Sequence, residues 1–391
     1  MTPLSVLYLF SGDLWAGAEV MLFNLLSSLK EDDSLRIIAL SLNEGVLAGR
    51  LRNAGIETHV IPEDCNSMLK IYGKALSLLK TKRIDIIHSH RYKENLLALP
   101  LGKSLGVKQM ISTVHGLSES ALHPLDKRNP ASLKARLNYY ILNKFFTRIV
   151  AVSQDMRTLL IRNYKLAPHK LDVIYNGIPI PETDRHTAPP SGNPGRTSSR
   201  SFHIGTVGRL APVKDFDLFL NVAAGIRKHT GNVRFSILGD GPLSGHLIKR
   251  AGELGIKDCL EFLPPRHDPL PYYRSLDLYL STSVHEGIPM SILEAMACKR
   301  PVVAPNVGGI PEIILHGKHG FLVDGRRPED FINSCMELVR SGRLRTKVGD
   351  NASKRIASSF ISSKTAQSYR KLYAQSCTEN QTGQGAFFQA V

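Results

Sequence analysis

Residues 278–297 read LYLSTSVHEGIPMSILEAMA. The apolar stretch Leu278–Thr282 has strand length, and Met290–Cys298 reads as a helix. Between them Gly287 and Pro289 make a turn, bracketed by Glu286 before the helix and Glu294 inside it. A helix start presents free backbone N–H groups and the positive end of the helix dipole, so Gly287-Ile288-Pro289-Met290-Ser291 forms a ready site for an anion. A strand that passes through one turn into a helix is half of a βα unit. Chains built from such units fold as parallel sheets covered by helices.

The same rhythm extends in both directions. Towards the N-terminus strands are expected near 202–207, 233–238 and 260–263, and beyond the motif near 301–304 and 320–323, with helices at 216–228, 243–254 and 328–340 between them. A further set occupies the first half, with strands near 4–10, 36–42, 56–60, 84–88, 109–114, 148–152 and 171–175. Helical patterns there include Ala18–Lys30 and Met68–Lys82. The halves are separated by PIPETDRHTAPPSGNPGRTSSRS, residues 179–201, whose Pro, Gly, Ser and Thr content is that of a linker. At 391 residues the chain suits two α/β domains of roughly 150–200 residues each.

Composition narrows the class. The chain is 42% hydrophobic and 21% charged, enough apolar material for two cores. No run approaches the roughly 18 apolar residues of a membrane span, and the opening residues lack the basic leader of a signal peptide. Five scattered cysteines without CxxC spacing point to reduced thiols and a cytoplasmic location. The net charge of +16 is concentrated: between Lys127 and Lys170 stand ten basic residues and one acid, Asp155. Such a patch attracts nucleic acid, anionic lipid or a phosphorylated acceptor, and charge alone does not choose among them. Within it Ser132–Arg148 reads as a helix, with Leu133, Leu137, Tyr140, Ile141 and Phe145 at helical spacing. That helix either packs on its sheet or offers a peripheral membrane surface.

Other motifs add chemistry. In Gly205-Thr206-Val207-Gly208-Arg209-Leu210-Ala211-Pro212-Val213-Lys214-Asp215 a strand ends in a glycine loop, and two cations precede a helix that Asp215 caps. An Arg fork and a Lys ammonium suit a diphosphate, whose charge grows as it departs. Asp215-Phe216-Asp217 mimics a metal-binding pair but reads as a cap and a first-turn acid. Ile237-Leu238-Gly239-Asp240-Gly241-Pro242 is a strand entering a glycine turn, and alone it is weak evidence for a dinucleotide. In the first half, Gly17 in the segment Phe10–Glu19 permits close approach to a phosphate. His88, His90 and His115 fall at the ends of two strands, where ligands of parallel sheets sit. The histidines lack a completing ligand for zinc, and His88 and His90 are expected on opposite faces if both lie in the strand. A hydrolase pair is disfavoured, because Glu286 and Glu294 would stand roughly 12 Å apart along a helix, beyond the roughly 5–9.5 Å such pairs need.

Residues 281–325, STSVHEGIPMSILEAMACKRPVVAPNVGGIPEIILHGKHGFLVDG, closely resemble the donor-site signature of family 4 retaining glycosyltransferases (group 1) of bacterial polysaccharide and lipopolysaccharide type. Both glutamates, LEAMA, PVV, VGG-x-PE and G-x-x-GFLV are present; Lys299-Arg300 stands where the family usually has a glycine. The resemblance implies the GT-B fold, two Rossmann-like domains with parallel sheets facing across a central cleft. It implies an acceptor-side domain over 1–180, to which helices at about 360–376 return, a linker at 181–200, a donor domain over 201–359 and a disordered tail at 377–391. It assigns Glu286 to the donor sugar hydroxyls, Glu294 to the ribose, and the backbone of Gly287, Ile288, Pro289, Met290 and Ser291 to the diphosphate and sugar. Arg209 and Lys214 become phosphate ligands. Gly17, Gly239 and Gly241 lie near the nucleotide, Arg266 lies near its base, His115 stands beside the reaction centre and His90 is on the acceptor side.

The expected activity is transfer of a hexose-type sugar from a nucleotide-sugar to a saccharide or lipid-linked acceptor, with retention, in envelope or exopolysaccharide assembly. No cofactor, no obligatory metal and no nucleic-acid partner are expected, and the location is cytoplasmic, peripheral at the inner face of the plasma membrane. A nucleotide-sugar epimerase, a phosphorylase and a basic nucleic-acid-binding protein are the alternatives.

Overall fold

The computed structural model describes residues 2–12, 15–116, 130–180 and 201–381. The expected linker at 181–200, the tail beyond Gln381 and the cations Lys127 and Arg128 lie outside them. The chain divides into two compact units, Met1–Gly177 with Ser362–Val391, and Ile178–Ile361.

In the first unit seven strands form one sheet: β1 (Leu4–Phe10), β2 (Leu35–Ser41), β3 (Glu57–Val60), β4 (Ile86–Ser89), β5 (Gln109–Val114), β6 (Arg148–Ala151) and β7 (Leu171–Val173). Every pair is parallel, and the order is β3-β2-β1-β4-β5-β6-β7. All residues of β4 and β5 are buried, as a sheet covered on both faces requires. Helices α1 (Gly17–Lys30), α2 (Val46–Asn53), α3 (Met68–Leu79), α4 (Tyr92–Leu105), α5 (Pro130–Phe145) and α6 (Gln154–Tyr164) connect the strands. From β3 the chain returns to lay β4 against β1, with Tyr8 paired to His88. The strand order therefore reverses between β1 and β4, and the loops leaving their carboxyl ends diverge and open a crevice.

The second unit repeats the plan with six strands: β8 (Phe202–Val207), β9 (Val233–Leu238), β10 (Leu260–Leu263), β11 (Leu278–Leu280), β12 (Val302–Pro305) and β13 (Phe321–Val323). All are parallel, in the order β10-β9-β8-β11-β12-β13, so this reversal lies between β8 and β11. Its helices are α7 (Phe216–His229), α8 (Ser244–Glu253), α9 (Leu270–Ser275), α10 (Met290–Ala297), α11 (Ile310–Ile313), α12 (Pro328–Arg340) and α13 (Gly342–Ser359). Just past α10, Lys299 takes a left-handed conformation (φ 59°). The family's glycine is explained by that backbone, which a lysine adopts here at some steric cost.

The last helix, α14 (Ser362–Gln381), packs on the first unit against α1. It is helical through residues 377–381, where a disordered tail was expected to begin. Its tyrosines enter the first core as polar anchors. The Tyr373 hydroxyl bonds the Tyr8 hydroxyl and lies 2.8 Å from His88 Nδ1. His88 Nε2 lies 2.8 Å from Thr113 Oγ1, which in turn meets the Tyr369 hydroxyl at 2.9 Å. The Tyr8 hydroxyl and His88 Nδ1 are thus satisfied by α14, and Thr113, already partnered by His88, gains a second bond from it. Tyr373→Phe should strand two buried partners and lower stability by about 1–3 kcal/mol, read as a shifted denaturant midpoint with an unchanged slope.

Candidate active site

The two motifs singled out in the second half arrive at one edge because β8 and β11 flank the reversal of strand order. Beyond β8 the chain forms the loop Gly208–Leu210 and a short turn, Pro212–Lys214, before Asp215 caps α7 by accepting from the Leu218 amide at 3.2 Å. Beyond β11, residues 281–289 lead into α10. Lys214 Nζ and Glu286 Oε1 meet at 2.5 Å, and Ser283 Oγ donates to the same oxygen at 2.7 Å. Burial works against the Lys214 charge, but the Glu286 carboxylate outweighs it and holds the ammonium above its ordinary range. The two loops are also laced together: the Val284 amide donates to the Val213 carbonyl at 2.8 Å, and Thr282 Oγ1 to the Lys214 carbonyl at 3.0 Å.

Two glycines fix these loops. A Cβ on Gly239 would stand 2.0 Å from the Gly208 carbonyl oxygen, because the Gly239–Gly241 turn lies directly on the Arg209 loop, where the Leu210 amide bonds Asp240 O at 2.9 Å. A Cβ on Gly308 would stand 2.0 Å from the Glu286 carbonyl oxygen, which also accepts from the Gly309 amide at 3.0 Å. The VGG segment is thus a clamp on the Glu286 backbone. Arg209 stands exposed on its loop and makes no side-chain hydrogen bond or ion pair among the described residues. Pro289 occupies the N-cap of α10, and no side chain caps it. Glu294 follows within that helix, partly buried, and accepts from the Tyr273 hydroxyl at 2.8 Å. Burial raises its carboxyl to about 7. Arg266 is exposed in the loop after β10.

Sequence reasoning missed Arg326. It follows β13, more than a hundred residues from Asp215, yet its guanidinium pairs with the Asp215 carboxylate and donates to the Thr282 and Ser283 carbonyls at 2.6 and 2.8 Å. One fork therefore fastens the α7 cap to the loop that carries Glu286. No local pattern announces it. Ser283 carried a readable signal, since a serine three residues before a glutamate has the spacing of a reciprocal cap.

In the first unit Gly17 opens α1, and Glu19 closes a capping arrangement by accepting from the Ala16 amide at 3.2 Å while pairing with Arg91. The expectation for His88 and His90 fails, because side chains alternate with a period of two and residues two apart lean to the same face: just past the end of β4 at Ser89, the His90 ring stacks on His88 with centroids 4.5 Å apart. His90 Nδ1 lies 2.9 Å from His115 Nε2, and burial holds both imidazoles below their ordinary range, His115 at about 3. Both rings are neutral, so one donates to the other. The outer nitrogens, His90 Nε2 and His115 Nδ1, have no partner among the described residues and are always one donor and one acceptor. Beneath them Ser11 donates to the fully buried Glu94, a residue not singled out in the sequence, whose carboxyl burial raises. Among the described residues no group of three or more His, Cys, Asp or Glu is arranged to hold a metal ion.

Residues 15–181 match the family described as Glycosyltransferase Family 4, and residues 201–341 the family described as Glycosyl transferases group 1. A D-inositol 3-phosphate glycosyltransferase of Frankia alni is 31% identical over 312 residues, 74% of this chain and 74% of that enzyme. The chain belongs to the family 4 glycosyltransferases. An Escherichia coli UDP-Gal:alpha-D-GlcNAc-diphosphoundecaprenol alpha-1,3-galactosyltransferase is 26% identical over 80% of this chain and 79% of its own. The crystal structure of Anabaena Alr3699/HepE in complex with UDP-glucose superposes with a TM-score of 0.80 at 20% identity, covering 95% of this chain and 99% of that one. The architecture is accordingly that of the GT-B fold, two Rossmann-like units with parallel sheets.

Two outcomes test the site of this glycosyltransferase. With the Glu294 carboxyl raised from 4.5 to about 7, the folded protein keeps a proton that the unfolded chain has lost, so stability falls as pH rises through that window. Glu294→Gln, unable to ionise, should flatten the fall, seen by comparing urea midpoints near pH 5 and near pH 7. Arg326→Ala should lower kcat/KM by about ten-fold or more through loss of charge-assisted hydrogen bonds, with Arg326→Lys intermediate.

Proposed function

We propose that this glycosyltransferase moves a hexose-type sugar from a nucleotide-sugar onto a saccharide or lipid-linked acceptor with retention of configuration, in the assembly of an envelope or exported polysaccharide. The observation that carries the reading is the constellation at the second reversal point. There a carboxylate, an ammonium, an exposed guanidinium and an uncapped helix start occupy adjoining loops. Cations and helix amides fit the diphosphate of an activated sugar, and carboxylates fit hydroxyl groups. The relatives support the substrate class: the Escherichia coli enzyme is named for a UDP-sugar and a lipid-diphosphate acceptor, and the Anabaena crystals hold UDP-glucose.

In this reading Arg209 and Lys214 bind the diphosphate, Glu286 orients the sugar, Glu294 holds the ribose and the Gly287–Ser291 backbone faces the sugar and phosphates. Gly17, Gly239 and Gly241 leave room beside the nucleotide, Arg266 serves the base, and His115 and His90 serve the reaction centre and the acceptor. The bond from the anomeric carbon to the phosphate oxygen breaks as the acceptor oxygen bonds the same face. The acceptor proton passes to the departing phosphate, so nucleoside diphosphate leaves with it. Glu286 Oε1 already accepts from Lys214 and Ser283, which suits a positioning carboxylate better than a nucleophile. Charge stabilisation by Arg209, Lys214 and helix amides replaces a metal, so transfer persists in chelator. The reaction runs on the cytoplasmic side, with the basic segment 127–170 open to an anionic membrane.

A preferred donor in a panel of UDP-, GDP- and ADP-sugars should raise the melting temperature, with about 2.7 kcal/mol of added stability at a hundred-fold excess over Kd. Arg209→Ala should cut the transfer rate roughly 10- to 150-fold, the worth of a charged hydrogen bond of about 1.5–3 kcal/mol. Unchanged transfer in that variant would remove Arg209 from the mechanism. Conversion of the donor with no acceptor present would instead indicate an epimerase.

A further inference from the structure

Helix α5 carries two apolar faces, and only one of them is used by the fold. Inward, Tyr139, Ile141, Leu142 and the following Phe146 are buried in the first core, with the Tyr139 ring 4.0 Å from that of Tyr164. Asn138 on the same side is tied to Asn95 of α4 by a 2.8 Å hydrogen bond. Outward, Leu133, Leu137 and Tyr140 are 69%, 46% and 58% exposed. These three are a third of the nine large apolar side chains that stand exposed among the described residues. Scattered exposed leucines are ordinary. Three at successive turns of one helix form a stripe. The sequence merged both sets into one face because the spacing of Leu137, Tyr140, Ile141 and Phe145 fits a single broad stripe, and only the packing separates them.

Cations frame the outward stripe. Lys134 and Arg136 stand exposed on its two sides, and Lys144 lies beyond its last turn, 5.8 Å from the Tyr140 ring centre. Between Leu133 and Phe145 there is no acidic residue. An apolar stripe one helix long, with a polar-tipped aromatic and flanking cations, matches the layering of a bilayer surface: acyl boundary, carbonyl level, phosphate level. A second protein would need carboxylates to meet the same rim. An anionic lipid surface offers the matching negative charge as phosphates, without a specific partner.

We propose that the outward face of α5, Leu133, Leu137 and Tyr140 framed by Lys134, Arg136 and Lys144, docks the first unit on an anionic lipid bilayer. This deepens the membrane part of the reading above and is separable from it, since lipid binding is measured with neither donor nor acceptor present. The helix lies in the surface. Among the described residues no helix is long and apolar enough to cross a membrane.

The full chain is to be floated with large vesicles of phosphatidylcholine containing phosphatidylglycerol, and with phosphatidylcholine alone. Binding is expected to the first and to be much weaker to the second. Leu133→Ser with Leu137→Ser, both exposed and outside the core, should lower partitioning about ten-fold or more. Lys134→Glu with Arg136→Glu should lower it at least about five-fold for each cation lost. Lys249→Glu with Lys257→Glu, an equal charge change on exposed residues of the second unit, should leave it unaltered. The proposal is overturned if the wild type ignores the anionic vesicles, if the leucine variant binds as the wild type does, or if the Lys249/Lys257 control loses as much as the Lys134/Arg136 pair, which would mean bulk charge alone. It is equally overturned if light scattering shows a dimer that the leucine variant dissolves while vesicles bind neither protein. Transfer to a soluble acceptor, unaltered in the leucine variant, keeps the outcome distinct from failure of the enzymatic assignment.

Discussion

Glu286 and Lys214 are 72 residues apart in sequence and share one hydrogen bond at the edge of the second sheet. A carboxylate and an ammonium withdrawn from water are tolerated only when each finds the other in good geometry, so the loops on which they ride have little freedom. The rest of the site follows from that restriction. Gly308 exists so that a backbone can lie against the Glu286 carbonyl, and Gly239 so that a second turn can lie against the Gly208 carbonyl. Asp215 accepts a left-handed backbone (φ 46°) to cap α7 while receiving Arg326. The fold itself thereby holds the charged constellation in place, and in the proposed reaction a charge developing on the leaving group meets dipoles already aimed.

The two units share a strand order but differ in the chemistry at their reversal points. The second collects ions. The first sets one ion pair, Glu19 with Arg91, beside a stack of imidazoles, His88, His90 and His115, which burial holds below their ordinary range, and burial likewise raises the Glu94 carboxyl. In the first unit the polar network is completed by α14, which supplies Tyr373 to the Tyr8 hydroxyl and His88 Nδ1 and Tyr369 to Thr113. The end of the chain is therefore a structural part of the first unit's core, and its helix is fixed by polar satisfaction as much as by apolar burial.

Much of this was legible in the sequence because it rests on local periodicity and local chemistry. Every strand expected in either half is present, and the helix start marked by Asp215 is capped by that residue. Glu286, Gly287 and Glu294 sit in one strand–turn–helix, so their order along the chain already set their spacing. Arg209 and Lys214 were readable for the same reason. What escaped was whatever depended on a second segment: Arg326 reaching Asp215, Tyr273 reaching Glu294, Ser11 reaching Glu94.

The sequence by itself determined that parallel βα units would form, that two sets would be separated by a linker-like stretch, and which loops would carry charge, because each follows from side-chain period and backbone preference over a few residues. The tertiary structure alone decided that the strand order reverses between β1 and β4 and between β8 and β11, which is what brings those loops together. It also decided that the apolar residues of α5 split between core and solvent. These outcomes depend on which segments lie side by side in space, and side-chain period carries no record of neighbours more than a turn or a strand away.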